Sequence, residues 1–374
     1  MNLSSSVGLG FAAPQCLAKI RFVSAAILAI GLSQVTTANA IVFDTFVSSS
    51  ELSPVLSNNA TIGFTYAGNK FVGSVYFGSN NNQLYQTDLN GNNVQKFGAP
   101  IPGAGGEIYV SSSLGLGGFG KGDVFAAQGS GIYRISNDGT TGGNFVSGLS
   151  GGVRGIAFDP YGVYGNDMLV TTTSGSIYRV NSSGAASLLA NVGADTEGLD
   201  FTPQAFGAFA TGTLVVASEG SGKLTAIKAN GDKNDLGLLI PGAIEMLSFV
   251  PLNLGISGNP LEGFYAASYP NDIQHAGASA FVPYKGDAIV TAESSHQVYQ
   301  IHWNGTTFDV NNIGVFPGQP EDGIFVTAEI IKPGCRETNT CGGGGGEIPE
   351  PGALAMLGLG LMLITRRKIG SNQI

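Results

Sequence analysis

The chain has 374 residues, of which 43% are apolar, 11% are charged and 58 are glycine. That apolar share can bury a large core and excludes global disorder, and 16 prolines are too few for collagen. A formal net charge of −9 argues against nucleic-acid binding through phosphates, which needs basic patches.

Residues 1–40 read as a secretory signal peptide. Lys19 and Arg21 are the only charges there, an apolar run extends from Phe22 to Leu32, and Ala38-Asn39-Ala40 offers a small-residue cleavage site before Ile41. The run is shorter than the ~20 residues that span a bilayer. Signal peptidase is therefore an expected partner, and export across the inner membrane the expected route.

Residues 41–331 read as a repeat. Leu84-Tyr85-Gln86-Thr87-Asp88-Leu89-Asn90-Gly91 is its first copy, followed by the stretches 132–139, 177–184, 224–231 and 298–305. Each alternates apolar and polar residues and ends in a Gly-containing turn, as strand and hairpin do. The closing glycines, Gly91, Gly139, Gly184, Gly231 and Gly305, are 48, 45, 47 and 74 residues apart. A more buried strand precedes each copy (Val75-Tyr76-Phe77, Val124-Phe125-Ala126, Met168-Leu169-Val170, Leu214-Val215-Val216, Ile289-Val290-Thr291). Another opens several units at Gly155–Phe158, Gly198–Phe201 and Met246–Phe249. Four short strands per ~45 residues predict an all-β chain folded as a β-propeller. The count is six blades, with five as the alternative and a β-sandwich as the runner-up fold. The 74-residue gap holds an extra strand, Phe264-Tyr265-Ala266-Ala267, and is expected to contain a shortened blade. The late strand Asp322–Val326 is expected to complete the first blade and close the ring.

The inner strands begin near the channel, and the residues at those starts are Glu107, Arg154, Glu197, Glu245 and Glu321. Two readings stand side by side. The acids cap turns and pair with Arg154, or they form a ring that holds Ca²⁺, a cation that takes 6–8 oxygen ligands. This body loosely resembles the NHL-type repeats and the six-bladed lactonase-like hydrolases. That resemblance implies one divalent metal at the channel mouth, but the family's Asn and Asp ligands find no match in this chain. Of the three histidines, His302 reads as packing beside Trp303, while His275 lies in irregular sequence that could approach the channel. There is no G-x-S-x-G elbow, H-E-x-x-H or P-loop.

Residues 332–347 form a linker. Cys335 and Cys341 are expected to close a short disulfide loop in an oxidising compartment, and Gly342–Gly346 make a flexible spacer. Residues 348–370 then carry Pro349-Glu350-Pro351, an apolar run from Gly352 to Ile364, and Arg366, Arg367 and Lys368. Thirteen residues make ~20 Å of helix, short for a ~30 Å hydrocarbon core, so a transient transmembrane anchor with its basic end in the cytoplasm is expected. This tail resembles the PEP-CTERM sorting signal, also catalogued as the ice-binding protein C-terminal domain, a label that implies no ice binding. Pro349, Glu350 and Pro351 match its motif, Gly358 to Leu361 its helix, and Arg366 and Arg367 its basic end. The resemblance implies removal by an exosortase and a place at the surface of an exopolysaccharide-producing cell. Residues 41–350 keep 12 of the 17 basic and all 26 acidic residues, a net charge of −14. The sequence thus predicts an exported, non-enzymatic binding or matrix protein whose partners are exopolysaccharide or surface proteins. The alternative is an extracellular metal-dependent hydrolase of the lactonase type.

Overall fold

The computed structural model describes residues 40–58 and 60–331. The signal stretch, Cys335, Cys341, the glycine spacer and the sorting residues Pro349, Glu350, Pro351, Arg366 and Arg367 lie outside the described residues. Within the described part, 24 strands pair into six antiparallel four-stranded sheets. Their innermost strands are Thr61–Tyr66, Val110–Ser112, Val153–Phe158, Leu199–Phe201, Ile244–Phe249 and Gln319–Val326. Each touches the next, and the last touches the first, so the sheets form a closed six-bladed propeller.

Burial across a blade explains the pattern in the sequence. The second strand is covered on both faces by neighbouring blades, so it reads as a continuous apolar run. Met168–Thr172 is wholly buried, whereas the outermost strand of the same blade, Ala186–Asn191, is mostly exposed. Apolar clusters weld neighbours together, as Phe206, Val215, Leu247 and Val290 weld blade 4 to blade 5. A carboxylate just before the second strand grips a nitrogen-bearing side chain on the third. Asp167 holds Arg179 at 2.7 Å, Asp123 holds Arg134, and Asp287 meets His302 Nδ1 at 3.0 Å. His302 is thus a strut of blade 5.

The sixth blade departs from expectation. From the channel outward its strands are Gln319–Val326, Gly263–Tyr269, Asp272–Gly277 and Asp44–Val47. Blade 5 is Ile244–Phe249, Ala288–Ala292, Gln297–Trp303 and Phe308–Val315. The chain therefore leaves blade 5 after one strand, builds the middle hairpin of blade 6, and returns. The long gap holds half of a complete blade, where the spacing had predicted a shortened one. The strand containing Asp322–Val326 is an inner strand as expected, but it closes blade 6 against Gly263–Tyr269. Blade 1 has its own inner strand, Thr61–Tyr66, buried at every position. Its sequence, TIGFTY, has neither a charged residue at its start nor a step like Gly155-Ile156, Gly198-Leu199 or Gly323-Ile324, so it escaped the repeat. The second strand of blade 1 is Phe71–Val75, and Phe77 lies beyond it with φ +62°. His275 sits on the third strand of blade 6, its ring tilted against Tyr265 with centroids 4.4 Å apart. That position is two strands out from the channel, which corrects the expectation for it.

A carboxylate ring at one end of a central cavity

The starts of the inner strands converge as the repeat predicts. Arg154 opens the inner strand of blade 3 and reaches into a circle of acids from its neighbours. Its guanidinium contacts Glu107 of the loop before blade 2, Glu197 at 2.7 Å, Asp195 at 3.1 Å and Glu219 at 3.9 Å. The Tyr109 hydroxyl donates to Glu197 at 3.1 Å. Glu245 hydrogen-bonds to Glu197 on one side and to Glu321 on the other. Gln319 Nε2 donates to Glu293 at 2.7 Å and to Glu321 at 2.8 Å. Glu107, Glu197, Glu245 and Glu321, the four carboxylates singled out in the sequence, therefore share one network with Arg154. Blade 1 contributes no acid, because Thr61 stands at the start of its inner strand.

Asp195, Glu219 and Glu293 escaped the sequence reading. A signal for two of them was present. Glu219 follows Val216-Ala217-Ser218 and Glu293 follows Val290-Thr291-Ala292, the ends of equivalent second strands in blades 4 and 5. The oxygens of Glu219, Glu245 and Glu293 lie within 4.8 Å of one another, as do those of Asp195, Glu197 and Glu219. Oxygens around one Ca²⁺ ion are separated by similar distances, since each lies 2.3–2.6 Å from the metal.

Seven carboxyl groups here face one arginine. Burial raises Glu197 and Glu245 well above the usual carboxylate range; Glu245 raises Glu197 further, whereas the hydrogen bond with Glu197 favours ionised Glu245, which Glu321 opposes. Burial pushes Glu321 up to about 9 and also raises Glu219. Two carboxyl groups that share a hydrogen bond need a proton between them, so the geometry and the shifts agree. Burial would lower Arg154, but Glu197, Asp195 and Glu107 outweigh it and hold the guanidinium charged.

Below the ring the channel widens into a cavity of about 730 Å³, within the size range of small-molecule sites. Arg154, Tyr109, Glu197 and Glu245 line one end. The loops after the inner strands line the other, where Leu252 and Ile256 are exposed. Between them lie Asp200 and Asp322, both half-buried in the cavity wall. Asp200 accepts the backbone N–H of Phe249 in the next blade at 2.7 Å. Asp322 accepts that of Val110 at 3.5 Å and that of Phe64. Burial raises each to about 7, partly offset by these backbone donors. The two aspartates thus tie inner strands of different blades together. No histidine, cysteine or lysine is among the described residues that line the cavity.

No protein-family model matches the chain, and no curated protein is similar to it. Solved structures do resemble it. One is a nidogen/laminin complex, 14% identical, with 71% of this chain and 84% of that one covered at a TM-score of 0.48. Another is virginiamycin B lyase from Staphylococcus aureus, 12% identical, covering 75% and 78% at 0.47. A third is a streptogramin B lyase, 13% identical, covering 76% and 91% at 0.43. Likeness at this level carries no argument about activity, and the six-bladed ring rests on its own strand pairing.

Proposed function

We propose that this chain is an exported binding protein whose ligand enters the central cavity of the propeller. The observation that carries this reading is the cavity itself. It is of small-molecule size, apolar at its exposed end and polar at its buried end. Its lining offers carboxyl groups and one committed arginine, and no histidine, cysteine or lysine among the described residues. The neutral dye Nile red tests it. One dye should bind per chain with a rise in fluorescence, and the Leu252→Asp/Ile256→Asp double variant should weaken binding at least tenfold while its circular dichroism is unchanged. No binding to the wild type overturns the reading.

Export and sorting belong to the same proposal. They are supported by Ala38-Asn39-Ala40 at one end and by Pro349-Glu350-Pro351 with Arg366 and Arg367 at the other. Intact mass of the exported protein should show a chain starting at Ile41 and ending near Pro351. Association with exopolysaccharide is tested by co-sedimentation of the exported chain with purified polymer.

A second reading has its own observation, the chelating spacing of Glu219, Glu245 and Glu293. It makes the protein a Ca²⁺-dependent hydrolase of the lactonase type. Calorimetric titration of Ca²⁺ into the full chain should then show one site, lost in Glu219→Gln/Glu293→Gln, and the loaded protein should cleave simple lactones. Absence of heat removes this reading and leaves the first untouched.

A further inference from the structure

We propose that the central cavity takes an amphiphilic organic cation, an amine whose ammonium group meets Glu197 and Glu245 and whose apolar body extends towards Leu252 and Ile256. This inference rests on the channel-binding reading and adds the chemical class of the ligand. The two ends of the cavity make different demands. At the buried end, Arg154 already serves Glu107, Asp195 and Glu197. Glu245 and Glu321 have no cationic partner among the contacts described and lean on each other and on Gln319. An anionic ligand would meet seven carboxyl groups there, and the one guanidinium is committed. A neutral ligand would leave Glu197, Glu245 and Glu321 holding their protons, whereas an ammonium group lets them ionise against a charge-assisted partner.

The other end asks for apolar surface. Phe158, Phe201 and Phe249 close the equivalent inner strands, and Leu252 and Ile256 continue the lining outward. From Glu245 to Phe249 is four residues, about 13 Å of strand, so a ligand body of that order is enclosed along its length. A metal ion alone would neutralise the acids and leave this apolar length to water. An ammonium group on an apolar body meets both demands, with charge-assisted hydrogen bonds at its head and burial of its chain.

The test is calorimetric titration of the full chain with three probes of equal length: n-octylamine, 1-octanol and octanoate. Each is run in EDTA and again with CaCl₂. Octylamine should bind at least tenfold more tightly than octanol, and octanoate should not bind in either buffer. Glu245→Gln should cost octylamine at least fivefold and leave octanol unchanged, a difference that general loss of structure would not give. If that variant does not fold, Glu197→Gln takes its place with the same expectation. Equal binding of octylamine and octanol overturns the cationic class while the channel reading survives. Failure of all three probes overturns the class, and if Nile red also fails, the channel reading falls with it. Octanoate binding only with Ca²⁺ overturns the proposal in favour of the metal-dependent reading.

Discussion

Arg154 is the residue on which the acid ring depends. Its side chain is mostly buried and contacts four carboxylates from blades 2 and 4. Removing one partner of a buried ion network leaves the others uncompensated, at a cost of about 3–5 kcal/mol. Arg154→Met should lower stability by that order at pH 7.5 in urea unfolding. Asp200 and Asp322 give a second pH effect. Each has an ordinary value of 3.8 and is raised to about 7 by burial. Between these values the folded chain holds protons that the unfolded chain releases, so the stability they supply is full below about pH 4 and declines as pH rises through 7. Without added cation, the wild type should therefore be more stable at pH 5 than at pH 8, and Asp200→Asn/Asp322→Asn should flatten that dependence. Glu197, Glu219, Glu245 and Glu321 are raised in the same direction, which is why the double variant, compared with wild type, is the informative measurement.

At the scale of elements, the N-terminal strand Asp44–Val47 closes the sixth blade from outside. Phe46 on that strand packs against Phe71 at 5.1 Å and Tyr265 at 4.8 Å, rings that belong to blades 1 and 6. Its carbonyl oxygen also fits against Gly91, where a Cβ would come within 2.3 Å and φ is +79°. The Asn90-Gly91 turn is thus needed twice, for its own left-handed geometry and for the approach of the closing strand. Phe46→Ala should cost about 3 kcal/mol. The loss should appear in hydrogen exchange as faster exchange across Asp272–Gly277, whose outer edge the strand covers. Unchanged exchange there would show that the blade closes without it. The repeat made most blades legible, because second strands are apolar on both faces and third strands end in Gly-containing turns. It missed Thr61–Tyr66 and Asp44–Val47, since an inner strand without the acid and an outer strand of four residues carry too little pattern.

For the whole molecule, the exchange between blades 5 and 6 decides how it can fold. Blade 6 draws on residues 44–47, 263–277 and 319–326, and blade 5 is split around the same hairpin. Blade 5 is complete only at residue 315 and blade 6 only at residue 326. Such non-local pairing predicts one cooperative transition for the ring. Trp303, the single tryptophan, lies in blade 5. Its fluorescence should change at the same urea concentration as the far-ultraviolet circular dichroism, and a chain ending at residue 235 should not fold. Separate transitions would mean that blades 1–4 stand alone.

The sequence by itself determined the strand rhythm, the six-blade count, the acids at the starts of the inner strands and the partner that Arg154 makes for them. These follow from local properties: period-two alternation, turn residues and equivalent positions in successive repeats. Only the tertiary structure decided which blade the last strand closes, that His275 lies away from the channel, and that Asp195, Glu219 and Glu293 join the ring. It also brought Asp200 and Asp322 onto the backbone of other blades. Those facts depend on which strands become neighbours when the ring closes. A one-dimensional repeat does not encode that once the chain leaves a blade unfinished and returns to it.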